Sequence, residues 1–246
     1  MQDRYTGDIG DFSKLGLLRQ MHRDGLSIGI NWYLVPDETH NGDGRFIGYL
    51  KNRSFAACDE ELWHSLGEIV ENDQREVAAL EKDAILPAKR YSVRLDFTDT
   101  RKPDRKSVRD RWHADAVKNL QGCDLIFVDP DNGLICPSAV DTKKSNKYVL
   151  CKELADYYNT GASVVYYQHK ARRNDEFYID QHKKLLDSGA FPDATGIGLK
   201  FKATSLRYYF FIVQPHHKGM ACQSIQAMLK TKWNKYFQRL LMEESL

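Results

Sequence analysis

The run Leu125-Ile126-Phe127-Val128, wholly apolar and held between Asp124 and Asp129, constrains the fold more than any other stretch of the chain. Apolar on both faces of a pleat, it suits a strand covered on both sides, which is the interior position in a parallel sheet. Parallel neighbours need crossover connections, usually helices, so strands and helices should alternate on either side of it.

They do. Phe12, Leu15, Leu17, Leu18 and Met21 recur at helical spacing and predict an amphipathic helix over residues 11–21. Residues 28–35, rich in β-branched and aromatic side chains, predict a strand that runs into a polar loop over 36–45. Next come a helix over 59–82, capped by Cys58 or Asp59 and breaking near Asn72, a strand over 90–97, and a helix in the second half of 101–120. Beyond the central run, a helix over 146–159 stops at Gly161, and a strand over 162–167 and a helix over 175–188 follow. Runs at 196–201 and 207–213 are close enough to pair antiparallel. A last amphipathic helix is predicted over 219–241, with Ile225, Leu229, Tyr236 and Leu240 facing inward. The expected fold is α/β, Rossmann-like, with a mostly parallel sheet and a reversed strand at or near its C-terminal edge. We expect one domain over 1–246, with a helical insertion at about 55–88.

The chain has 42% hydrophobic and 28% charged residues, a balance that argues against extensive disorder. A net charge of +2 is too small to demand a nucleic-acid partner, so such a partner must be argued from local charge. The five cysteines are scattered and never form Cys-x-x-Cys, which predicts reduced thiols, no metal and a cytoplasmic location. No segment approaches the ~18 apolar residues of a membrane span, and no basic region precedes an apolar run, so neither insertion nor secretion is expected.

Three segments carry candidate chemistry. The first strand runs into the loop Glu38-Thr39-His40-Asn41-Gly42-Asp43-Gly44-Arg45-Phe46, whose glycines let backbone approach a ligand where a doubly wound sheet opens its crevice. Asp129 ends the central strand on the rim of that crevice and continues as Pro130-Asp131-Asn132-Gly133, a sequence that also suits a plain β-turn. The strand over 162–167 leads into Gln168-His169-Lys170-Ala171-Arg172-Arg173, where cations on the same rim are placed to grip phosphates. Basic residues over 101–111, and Lys230, Lys232, Trp233, Lys235, Tyr236 and Arg239, mix charge and aromatics in a way that suits either nucleic acid or solvent.

The glycine loop resembles the cofactor loop of bacterial ribosomal-RNA adenine-N6 methyltransferases, Asp-Thr-His-Ala-Gly-Ala-Gly-x-Tyr. Thr39, His40, Gly42 and Gly44 match it, Phe46 stands for the tyrosine, and Glu38, Asn41 and Asp43 depart from it. That family opens with Ala-Gly-Asn-x-Ala-Asp-Val-x-Lys, and Gly7, Asp11 and Lys14 fall in register with it. Asp129 and Pro130 resemble the start of the Asp-Pro-Pro-Tyr motif of amino-methyltransferases, while Asp131 and Asn132 depart from it and no aromatic follows. The resemblance covers these short motifs, in order, and not the whole chain.

The resemblance implies a Rossmann-like fold that binds S-adenosylmethionine (SAM) through Lys14, Thr39, His40, Gly42, Gly44 and Asp129, with Lys14 near the SAM carboxylate. It implies an acceptor amine of a nucleic-acid base held by Asp129 and the Pro130 carbonyl, with Asp131 and Asn132 beside it; local charge, apart from the resemblance, makes Gln168, His169, Lys170, Arg172 and Arg173 the candidates for binding the substrate. It identifies no acid for the SAM ribose, for which Asp96 and Asp99 are candidates. Two alternatives remain open: a magnesium-dependent nuclease built on Asp129 with Gln168 and Lys170, and a methyltransferase-like binding module without catalysis.

Overall fold

The structure, a computed structural model, describes residues 1–38, 42, 44–140 and 142–242. In chain order its elements are α1 (Ile9–Arg23), β1 (Ile28–Asn31), α2 (Arg53–Ala56), α3 (Glu60–Glu71), α4 (Val77–Leu80), β2 (Ala88–Tyr91), α5 (Arg105–Asn119) and β3 (Leu125–Val128). They continue with β4 (Gly133–Leu134), β5 (Tyr148–Val149), α6 (Cys151–Tyr158), β6 (Ser163–His169), α7 (Asp175–Leu186), β7 (Thr195–Lys202), β8 (Leu206–Val213), α8 (Lys218–Leu229) and β9 (Phe237–Met242).

Among the described residues, seven strands form one sheet in the order β2-β1-β3-β6-β8-β7-β9. The pairs β2–β1, β1–β3 and β3–β6 are parallel, whereas β8 runs antiparallel to β6 and β7, and β9 antiparallel to β7. This mixed α/β sheet is compatible with a Rossmann-like arrangement. The apolar run is β3, between β1 and β6, and its side chains alternate between two cores. Leu125 and Phe127 pack with Phe12 and Leu18 of α1, Leu66 of α3 and Ile225 of α8. Ile126 and Val128 pack with Trp112 of α5, Leu154 of α6 and Tyr178 of α7.

Local chemistry sets the element ends. Asp8 caps α1 by accepting from the amides of Gly10 and Asp11, and Asp59 caps α3 by accepting from Leu62. The first strand is shorter than expected, because Tyr33 takes a positive φ of 45° with its amide on the Asn31 side chain, so residues 32–35 leave the ladder while staying buried. The expected strand over 90–97 is likewise confined to β2, and the helix expected over 59–82 divides into α3 and α4.

The C-terminal helix expected over 219–241 is a correction. α8 ends at Leu229, Thr231 accepts from the Trp233 amide to start a new turn, and the chain returns as β9. Helical spacing persists through Tyr236, but the open edge of β7 offers unpaired backbone groups, and pairing with them outweighs the local period. Tyr236 therefore stacks on Phe55, with ring centroids 4.4 Å apart, instead of lying on a helix stripe. No helix among the described residues is long and apolar enough to cross a membrane.

Candidate functional site

A cleft of about 360 Å³ opens at the C-terminal ends of β3 and β6, walled by the start of α1, the loop after β1 and the loop before β8. Lys14, Asp129 and Arg207 line it, as do Gly44, Pro130, Asp131, Asn132, His169 and Ser205.

The amino-terminal motif and the motif after β3 meet there through side chains. Gly7 takes a φ of 79°, and its amide donates to Asp11 Oδ2 at 2.8 Å. Asp11 Oδ1 lies 3.0 Å from Lys14 Nζ, and Lys14 in turn forms a buried ion pair with Asp129 Oδ2. Thus Gly7, Asp11 and Lys14, spaced along one helix start, form a continuous link to Asp129. Burial opposes the charge on Lys14, but the carboxylates of Asp129 and Asp11 outweigh it and hold the ammonium well above its ordinary range. Asp11 moves the other way: burial pushes its carboxyl up to about 6, against the pull of Lys14.

Asp129 keeps an open acceptor. Lys14 takes Oδ2, while Oδ1 accepts no hydrogen bond from the described residues, and neither does the Pro130 carbonyl. The next residues are occupied. The Asp131 carboxylate holds the Met1 amine at 2.7 Å and Gln2 Nε2 at 2.6 Å. Burial would raise Asp131, but the Met1 amine, Gln2 and Lys147 together hold it below the usual carboxylate range. Asn132 lines the cleft, with its amide on the Lys147 carbonyl and its own carbonyl on Gln168.

The remaining candidates divide. Gly44 lines the cleft with a φ of 83°, and a Cβ there would sit 2.4 Å from the Arg4 carbonyl oxygen, so its glycine lets the loop close onto the amino-terminal segment. Gly42 is exposed, and Thr39 and His40 lie outside the described residues. His169 lines the cleft and meets the Tyr167 hydroxyl at 3.3 Å. Gln168 is absent from the cleft lining: it accepts from the Leu134 amide at 3.0 Å and donates to the Asn132 carbonyl at 2.9 Å, bracing the loop after β3. Lys170 donates to the Arg173 carbonyl, and Arg172 and Arg173 are exposed outside the cleft. Gln168 and Lys170 thus bond to backbone groups and do not line the cleft with Asp129, and no group of three or more His, Cys, Asp or Glu side chains that could hold a metal is found among the described residues. Asp96 and Asp99 are exposed and away from the cleft lining.

Arg207 and Ser205 belong to the cleft and were not singled out from sequence. A charged residue heading the otherwise apolar run Leu206-Arg207-Tyr208-Tyr209-Phe210 was the available signal, because an arginine at a buried strand position needs a partner.

No protein-family model matches the chain, and no curated protein matches it.

Proposed function

We propose that the chain is a cytoplasmic SAM-dependent methyltransferase of Rossmann-like fold that acts on an amine of a nucleic-acid base. One observation carries this reading: the link from Gly7 through Asp11 and Lys14 to Asp129 joins, in one cleft, the two short motifs that resemble such enzymes. The strand order, with β8 reversed beside β6, supports the same fold. So does the crevice, which lies outside the carboxyl ends of parallel strands and falls within the roughly 300–1,000 Å³ usual for small ligands.

The residues present fit a cationic, nucleoside-bearing cofactor: the cleft combines carboxylate and carbonyl acceptors with Arg207, whose buried Nη1 has no hydrogen-bond partner among the described residues. SAM bound there would supply an electrophilic methyl group. Asp129 Oδ1 and the Pro130 carbonyl are two adjacent open acceptors, suited to hold both hydrogens of an amine and so orient its lone pair. Lys14 pairs with Asp129 Oδ2 and so holds that carboxylate in one orientation. Because an amine lone pair attacks directly, no base is needed beforehand, and Asp129 Oδ1 is an acceptor for the proton released afterwards. His169 at the cleft, with Lys170, Arg172 and Arg173 beyond it, supports a phosphate-bearing acceptor.

Calorimetry with SAM and transfer of labelled methyl to RNA or DNA test the proposal. Asp129→Asn keeps the side-chain shape and should retain SAM binding while lowering transfer roughly 10²–10³-fold. A folded wild-type protein that does not bind SAM overturns the transferase, and binding without transfer to either nucleic acid favours the binding module.

A further inference from the structure

The buried and half-buried cations of the cleft differ in what they already hold. Lys14 is committed to Asp11 and Asp129, and Lys147 to Glu38 at 2.5 Å. Arg207 differs. It is only 6% exposed, yet its ion pair to Asp8 is long, 3.6 Å from Nη2 to Oδ2, and Nη1 is buried without a hydrogen-bond partner among the described residues. Asp8 is not free to come closer, because its other oxygen already holds the amides of Gly10 and Asp11 at 2.6 and 3.2 Å. Ser205, two residues earlier, also has a buried hydroxyl with no partner among the described residues, and both side chains line the same cleft. Two orphaned donors on one wall are costly for a protein to keep unless a ligand satisfies them, because each was stripped of water without gaining a partner.

We propose that Arg207 and Ser205 form an oxyanion subsite of the cleft, which takes a phosphate or carboxylate group of the bound ligand. The guanidinium presents a planar donor pair and the hydroxyl a third donor, the pattern that suits a flat or tetrahedral oxyanion. Backbone holds the subsite in place: Arg207 sits at the head of β8, in register with His169 of β6 and Phe201 of β7. The subsite stands apart from methyl transfer, since it asks only that the ligand carry an anionic group.

Binding is measured by calorimetry on the full chain with two matched pairs of probes, AMP against adenosine and SAM against decarboxylated SAM. If the anion is a phosphate, wild type prefers AMP, and Arg207→Gln removes that preference, roughly ten- to hundredfold, while leaving adenosine unchanged. If it is a carboxylate, the same loss appears between SAM and decarboxylated SAM. Ser205→Ala, at a less buried position, should lose a smaller part of whichever preference is seen, which guards against a misfolded Arg207 variant. Arg53→Gln, exposed on α2 and outside the cleft, should change neither pair. No preference in wild type, or a preference that survives both cleft variants, overturns the subsite. Failure of SAM to bind, with an Arg207-dependent preference for AMP intact, removes the transferase and leaves the subsite standing.

Discussion

Two buried arginines show what burial alone does not decide. Arg109 of α5 and Arg207 of β8 are each 6% exposed. Arg109 spends its donors inside the protein: Nε and Nη2 go to Glu153 at 2.5 and 2.8 Å, Nη1 to the Ser145 carbonyl at 2.7 Å, and Nη2 also to the Tyr148 carbonyl at 2.6 Å. Glu153 is equally committed, accepting from the Leu150 amide at 2.9 Å and the Tyr33 hydroxyl at 3.2 Å. Arg207 has one long ion pair and a donor left over in a cleft. The first is a brace that ties α5 to α6 and to the loop before β5. The second is a charge held ready, because a guanidinium is expensive to bury and its donors are normally answered.

The contrast is most exposed to failure at Glu153. Removing it as Glu153→Ala leaves the Arg109 charge buried with only carbonyl partners and strips the Tyr33 hydroxyl and the Leu150 amide. Truncating one side of a buried pair costs about 3–5 kcal/mol, and that loss should appear in urea unfolding. A loss near zero would mean that this network is not a brace, and the distinction from Arg207 would fall.

Lys14 sharpens the comparison through pH. Lys14→Met leaves Asp11 and Asp129 facing each other without their cation, again a loss of about 3–5 kcal/mol near neutrality. In the wild type, burial already raises Asp11 from 3.8 to about 6, and removal of Lys14 takes away the largest lowering influence. The folded state then keeps a proton that the unfolded chain has released, so stability falls as pH rises from about 4 through the folded value. The variant should be closer to wild type at about pH 5 than at about pH 8. Equal losses at both would show that Asp11 does not couple to Lys14.

How much of this was legible in the sequence follows from range. The central strand, the alternation and the antiparallel pair depend on local periodicity and were visible in Leu125-Ile126-Phe127-Val128 and in the paired runs before and after Ser205. β9 was not, because what turns 237–242 into a strand is the open edge of β7, which no local pattern contains. At the site, Lys14 and Asp129 were both singled out, but their direct pairing was not, since 115 positions separate them. The bonds of Gln168 were hidden for a related reason: a polar side chain at a strand end suits a ligand or a loop brace equally well, and its bonds to the Leu134 amide and the Asn132 carbonyl depend on the turn at Gly133, with a φ of 102°.

The smallest expected effect is the most discriminating. Arg207→Gln removes a buried charge, yet its partner is not abandoned: Asp8 still accepts from the Gly10 and Asp11 amides and still sits at the positive end of the α1 dipole. The arginine itself returns little for its desolvation, because Nη1 meets nothing among the described residues and the pair to Asp8 spans 3.6 Å. A glutamine retains part of the stem and needs fewer donors answered. Unfolding stability should therefore drop by no more than about 1 kcal/mol, well short of the loss at Glu153. A drop as large as that of Glu153→Ala would mean that Arg207 braces the start of β8 in the same way, and its unanswered donor would lose its meaning as a binding device.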